Sequence, residues 1–245
     1  MKVIRSGSGS RRVIFVHGVL GTGRSFDRVA AHLTTECEME WYDRRGYGMA
    51  TCDDPPGIEG HAQDLMRIIG ERPAVLVGHS FGGVTAMAVA AQAPEIVRAL
   101  VIYETSLSWA PGWDDTIMSA ILASDDPEEA GLRLMLGSTY ADLAGAERAR
   151  RHREGRAFIA EEKSVRSGGT PFDLARITCP VLYGRSDPSI MPDVVDFLRN
   201  ELTSFEVELL PGAGHYAHRA DPEAFAGLIR RGMAMGEHGP ASEYR

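Results

Sequence analysis

Apolar positions along the chain gather in short dense runs, and each run is followed by a stretch with helical spacing. The runs are RVIFV (12–16), EMEWY (38–42), AVLVG (74–78), RALVIY (98–103), PVLYG (180–184) and FEVELL (205–210). Runs of this length are too short for buried helices and fit strands covered on both faces. Strands alternating with helices predict an α/β fold, with a mostly parallel central sheet and helices on both sides. Before the first run stands only KVIR (2–5), so the sheet is expected to begin with a reduced edge. In such sheets ligands bind beyond the carboxyl ends of the strands, so the loops after each run are where chemistry is sought.

One interval breaks the alternation. From VIYE (101–104) to PVLYG the chain has no convincing strand and reads as helices. These are DDTIMSAILA (114–123), DPEEAGLRLMLGS (126–138) with Pro127 in its first turn, and a charged stretch from 144 to 166. Inserted at the carboxyl edge of the sheet, they would sit as a cap over the site. The expected division is a core of residues 1–105 and 170–245 and a helical cap of 106–169.

Composition narrows the function classes. The formal net charge of −8, from 26 Lys+Arg against 34 Asp+Glu, argues against a nucleic-acid surface. The arginines at 148, 150, 151, 153 and 156 are interspersed with Glu147, Glu154, Glu161 and Glu162 and read as a solvated helix face. Cys37, Cys52 and Cys179 are odd in number and widely spaced, which suggests neither a zinc site nor a disulfide framework. No metal and no organic cofactor is implied. The first residues hold no apolar core of signal-peptide length, and no stretch approaches a membrane span, so a cytoplasmic protein without membrane association is expected. GEHGPASEYR (236–245) carries no usable motif and is expected to be disordered.

The chemistry-bearing segment is AVLVGHSFGG (74–83). Gly78-His79-Ser80-Phe81-Gly82 fits G-x-S-x-G between a strand and the helical VTAMAVAAQA, the context in which a strained turn lifts a serine hydroxyl clear of the sheet. As a string the motif is weak, and glycines serving only helix–strand packing, with Ser80 an N-cap, would also explain it. A serine hydroxyl needs a base, and the base an orienting acid, in the chain order Ser, Asp/Glu, His. His215 follows the last predicted strand through the glycine-rich LLPGAGHYAH, at the carboxyl edge, and is preferred to His218 three residues on. For the acid, Asp187 in VLYGRSDP and Glu104 in VIYETS both stand at that edge. Asp187 is preferred, leaving Glu104 facing the pocket or held in a polar network. The amides of Phe81, at a helix start, and Val19, in HGVLGTG (17–23), are the expected donors to an oxyanion.

Taken together, FVHG, DRRGYG, GHSFGG, YGRSD and GAGHYAHRADPEAF, in this order, resemble the α/β-hydrolase superfamily over almost the whole chain. The resemblance implies Ser80 as nucleophile, His215 as base, Asp187 as orienting acid and the Val19 and Phe81 amides as oxyanion hole. It looks most like the small bacterial esterases, lactonases and C–C hydrolases of that superfamily, and departs from them in its shortened N-terminal edge. It implies an acyl-serine intermediate resolved by water.

The cap segment is rich in large apolar residues. Trp109, Trp113, Met135 and Tyr140, with Glu104 and Tyr216, are the expected pocket residues. They suggest a small to medium apolar or aromatic ester, thioester or lactone as substrate. The fold alone does not fix the reaction. C–C bond hydrolysis, lyase or cyclase chemistry and cofactor-free peroxidation stay open on the same scaffold, and so does a non-catalytic ligand-binding receptor. The expected partner is a small molecule, with the chain a monomer or homodimer.

Overall fold

A computed structural model describes residues 1–191 and 193–237. Residues 238–245 of the tail, with His238, lie outside the described residues. The part of that tail that is described, Gly236 and Glu237, continues a helix.

Among the described residues, seven strands form one sheet: β1 (Val3–Ser6), β2 (Arg11–Val16), β3 (Cys37–Tyr42), β4 (Ala74–His79), β5 (Val97–Tyr103), β6 (Val181–Asp187) and β7 (Phe205–Pro211). Their order is β1-β3-β2-β4-β5-β6-β7. All neighbouring pairs are parallel except β1 with β3, where Val3 faces Tyr42 and Ser6 faces Met39. Each apolar run of the sequence is thus one of β2 to β7. The reduced edge is the exposed four-residue β1, whose antiparallel pairing needs no crossover helix.

The helices are α1 (Asp27–Ala30), α2 (Ile58–Ile69), α3 (Phe81–Gln92), α4 (Thr116–Leu122), α5 (Pro127–Leu136), α6 (Gly145–Arg166), α7 (Val195–Glu201), α8 (Ala217–Ala220) and α9 (Pro222–Glu237). Because successive strand residues point to opposite faces, each buried strand feeds two cores. Ile14, Val16, Leu76 and Ile102 join the side covered by α2, α3 and α7. Val13, Phe15, Val75, Val77 and Val101 join the side covered by α1 and α9. This is why β2 and β4 are apolar without alternation. Helix α3 is buried from Phe81 to Ala91, so its sequence is apolar all round and lacks an amphipathic stripe.

Between β5 and β6 the chain forms α4, α5 and α6, close to the bounds expected from the sequence. Asp126 caps α5 by accepting a hydrogen bond from the Glu129 N–H at 2.8 Å, with Pro127 in the first turn. Ile121, Phe158 and Ile159 make a small core among the three helices. The long α6 departs from its expected character as a solvated face. Its Glu154, Glu161 and Glu162 are buried with Phe158 and Val165, and its arginines serve as partners to some of them. Among the described residues, no helix is long and apolar enough to cross a membrane.

Candidate active site

Ser80 stands between β4 and α3 with φ 53° and ψ −125°, a backbone conformation that L-residues rarely adopt. Such strain costs roughly 1–3 kcal/mol and persists only where the surroundings enforce it. Here Ser80 N–H donates to the Tyr103 carbonyl at 2.9 Å, and the Ser80 carbonyl accepts from Gly83 N–H at 2.9 Å. Glycine is required beside it: a Cβ on Gly82 would stand 2.0 Å from the Val16 carbonyl oxygen, and one on Gly78 would stand 2.5 Å from Gly83 Cα. The turn therefore crosses hard against β2 and leaves Ser80 lining a pocket.

His215 lines the same pocket, on the turn after β7. Three hydrogen bonds fix that turn. Gly214 N–H donates to Ser186 Oγ at 2.7 Å, Tyr103 OH donates to the Gly214 carbonyl at 2.8 Å, and His79 Nε2 donates to the His215 carbonyl at 2.8 Å. Burial, reinforced by the imidazoles of His218 and His215, pushes the His79 pKa well down, so His79 holds that turn as a neutral ring. His218, the other candidate base, is buried beside Phe26 and Phe225, and burial with Arg219 nearby pushes its pKa down to about 3.

The carboxylate beside His215 is that of Glu104, where the sequence favoured Asp187. Glu104 follows β5 in the left-handed region, at φ 47°, and is fully buried with Oε2 3.6 Å from His215 Nδ1. That separation exceeds a hydrogen bond, and among the described residues Nδ1 has no other partner; such bonds are often long before substrate binds and tighten in the complex. Burial works to raise the Glu104 pKa. The neighbouring His215, the Ser186 N–H and the Ser189 hydroxyl outweigh it and hold the carboxyl below its ordinary value. The Ser186 and Ser189 bonds measure 2.8 Å and 2.7 Å to Oε1. Asp187 ends β6 with its side chain exposed, and no hydrogen bond or ion pair among the described residues engages its carboxylate. Backbone direction separates the two: Glu104, at φ 47°, is buried under the strand ends, whereas Asp187 is exposed to solvent.

The loop after β2 brings Val19 to the pocket wall. Its N–H has no hydrogen bond among the described residues. The Phe81 N–H stands at the first turn of α3, where amides have no intrahelical acceptor and the helix dipole favours negative charge. The pocket has a volume of about 410 Å³. Of the six expected lining residues, Trp113, Met135 and Tyr216 border it, along with Phe158 and Met191. Trp109 packs edge-on against Phe172, ring centroids 5.4 Å apart. Tyr140 is buried against Glu129, which accepts from its hydroxyl. Glu104 stands behind His215, away from the pocket surface.

A buried charged group that the sequence pattern does not announce links α6 to the core. Arg44, fully buried after β3, donates from Nη1 to Glu161, while Tyr47 OH donates to Glu161 Oε2 at 2.9 Å and His61 Nε2 lies 2.9 Å from Glu161 Oε1. Burial pushes Glu161 up, but Arg44 and His61 outweigh it and hold the carboxyl below its ordinary value. Glu162 borders the pocket beside Arg166, and there burial prevails, raising its pKa to about 7. Among the described residues no cluster of His, Cys, Asp or Glu could hold a metal ion.

A buried serine on a strained strand-to-helix turn, with a histidine and an acid from later strand ends, is the arrangement of one large class of α/β enzymes. Residues 13–228 match the model of the Alpha/beta hydrolase family, and the chain belongs to that family. It is 25% identical to the sn-1-specific diacylglycerol lipase ABHD11 of Mus musculus, over 91% of this chain and 80% of that protein. With Lipase LipV of Mycobacterium tuberculosis it shares 35% identity over 142 residues, 56% of this chain and 54% of that protein. Among solved structures, a thermophilic esterase from Thermogutta terrifontis superposes with a TM-score of 0.76 at 18% identity, covering 96% of this chain and 93% of that one. At that identity the likeness is one of fold.

Proposed function

We propose that the protein is a serine hydrolase that cleaves small to medium carboxylic esters with an apolar or aromatic acyl group, through an acyl-enzyme. The observation that carries this reading is the strained Ser80 lining one pocket with His215, behind which Glu104 is buried and hydrogen-bonded. In the reaction, His215 Nε2 takes the Ser80 proton as Oγ attacks the ester carbonyl, and it returns the proton to the departing alcohol. Water, activated by the same nitrogen, then releases the acid. Glu104 orients His215 through Nδ1 and stabilises its positive charge as it forms. The Val19 and Phe81 amides receive the oxyanion, an interaction worth about 3 kcal/mol for each donor. The segment 106–169 acts as a cap over a core of 1–105 and 170–245, and its Trp113, Met135 and Phe158 supply apolar wall to a pocket of about 410 Å³, within the usual range for small ligands.

The two curated relatives named above are lipases by name, which supports an ester substrate. A panel of p-nitrophenyl esters of graded chain length, run on wild type and Ser80→Ala, tests the reading. Turnover by wild type and a loss of several orders of magnitude in Ser80→Ala are expected. Equal activity in the two would end the assignment of Ser80.

A further inference from the structure

The amide of Val19 points where its loop forces it to point, and helix α6 holds that loop from both sides. A trans peptide is planar, so fixing the Gly18 carbonyl fixes the Val19 N–H in the opposite direction. The Gly18 carbonyl accepts from His17 Nδ1 at 2.8 Å and from Gly21 N–H at 3.3 Å. The His17 ring is itself set by Arg44, whose backbone N–H donates to Nε2 at 2.9 Å. Burial and the Arg44 charge keep His17 well below its ordinary pKa, so the ring is neutral, with one nitrogen donating and the other accepting. Arg44 Nε also donates to the His17 carbonyl at 2.8 Å, and its guanidinium lies 5.3 Å from the centre of the Phe81 ring. The group that neutralises this fully buried guanidinium is Glu161 of α6.

On the other side of Val19, Leu20 sits in the left-handed region at φ 54°, a strained conformation for a branched residue. Its carbonyl accepts from Nη1 of Arg151, one α6 residue among the arginines that read from sequence as solvent-facing, at 3.3 Å. Arg151 is aimed by Glu147 at 3.3 Å and Glu154 at 2.9 Å, both on α6. One helix thus supplies the charge behind the His17 carbonyl and the donor on the Leu20 carbonyl, which flank Gly18 and Val19.

We infer that Glu161 and Arg151 of α6 are positioning residues for the oxyanion: they aim the Val19 amide, so that seating of the helix and readiness of the site are coupled. This rests on the serine-hydrolase reading above. The consequence falls on the transition state and not on ground-state binding, because the oxyanion exists only after attack.

The test uses purified full-length wild type, Arg151→Met, Arg151→Lys and Glu161→Gln, each with active sites titrated by a fluorophosphonate. Measured are kcat and KM for a p-nitrophenyl ester and the inhibition constant of a trifluoromethyl ketone, whose adduct with Ser80 carries the oxyanion. Arg151 is partly exposed, so its variants spare the core. For Arg151→Met we expect kcat per titrated site to fall about 10-fold, ketone affinity to fall in parallel and KM to stay within about 2-fold. Arg151→Lys, which retains a donor, recovers part of both. Glu161→Gln loses more of the same two quantities. Unchanged kcat and ketone affinity in folded Arg151→Met overturns the inference, and so does a loss confined to the number of titrated sites or to KM. Wild type that neither labels nor turns over ester overturns the serine-hydrolase reading itself, and is distinguishable on that ground.

Discussion

Replacing Glu104 with Gln removes one negative charge 3.6 Å from His215 Nδ1 and keeps the side chain's shape. With an effective dielectric of about 20, a unit charge pair at that separation interacts by roughly 5 kcal/mol, so the imidazolium formed during attack loses stabilisation worth about three powers of ten in rate. The amide also imposes a hydrogen-bond conflict. Its oxygen is needed by the Ser186 N–H, which approaches the carboxylate to 2.8 Å. The NH₂ group then faces Nδ1, favours the tautomer protonated on Nε2, and removes the lone pair that must take the Ser80 proton. Asp187→Asn alters an exposed side chain with no described partner and should leave kcat within about 2-fold. The assay is kcat on a p-nitrophenyl ester at pH 8, per titrated active site, with thermal melts to show that both variants are folded. A collapse of activity in Asp187→Asn beside near-normal Glu104→Gln would refute the reasoning and return the acid to the end of β6.

Other parts of the structure yield further expectations. Gly82→Ala places a Cβ 2.0 Å from the Val16 carbonyl, where only backbone can yield; a loss of about 3 kcal/mol or more, roughly a 6–12 °C fall in Tm, is expected by calorimetry. Glu162, pushed by burial from its ordinary 4.5 up to about 7, binds its proton in the folded state to higher pH than when unfolded. Its contribution to stability is therefore complete below pH 4.5 and lost as pH rises through about 7, on the order of 3 kcal/mol. Urea unfolding at pH 5 and pH 8 should show this slope weakened in Glu162→Gln. His218, lowered from 6.5 to about 3, acts with the opposite sign. The stability from keeping it neutral is complete above pH 6.5 and lost towards pH 3, about 4–5 kcal/mol in all. His218→Leu should shrink the fall in Tm over that interval, and an unchanged profile would contradict the assignment.

Much of this was legible in the sequence because burial on both faces leaves no polar alternation. The runs at 12–16, 74–78 and 98–103 could be little else than central strands, and each is one. The placement of Ser80 and His215 at the strand ends, lining one pocket, was legible because glycines announce tight turns there. The carboxylate beside His215 was harder to read. Asp187 and Glu104 both end strands, and the choice between them lies in backbone direction, which no side-chain pattern encodes. Its one trace is the pair Ser186 and Ser189, whose N–H and hydroxyl receive an inward carboxylate. The face of α6 was misread because its residues are charged. Glu154, Phe158, Glu161, Glu162 and Val165 recur at three- and four-residue spacing, and the two apolar members mark that stripe as inward. Glu154 and Glu162 find partners on α6 itself, in Arg150, Arg151 and Arg166, whereas those that make buried Glu161 tolerable, Arg44 and Tyr47, lie more than a hundred residues away in the chain.

The central claim, that Ser80 is an activated nucleophile, is tested most directly by reacting the folded protein with a fluorophosphonate and locating the adduct by mass spectrometry. One phosphonyl group per chain is expected, on the peptide carrying Ser80, and none on Ser80→Ala. Folded wild type that stays unlabelled, or that carries the label on another residue, would contradict it.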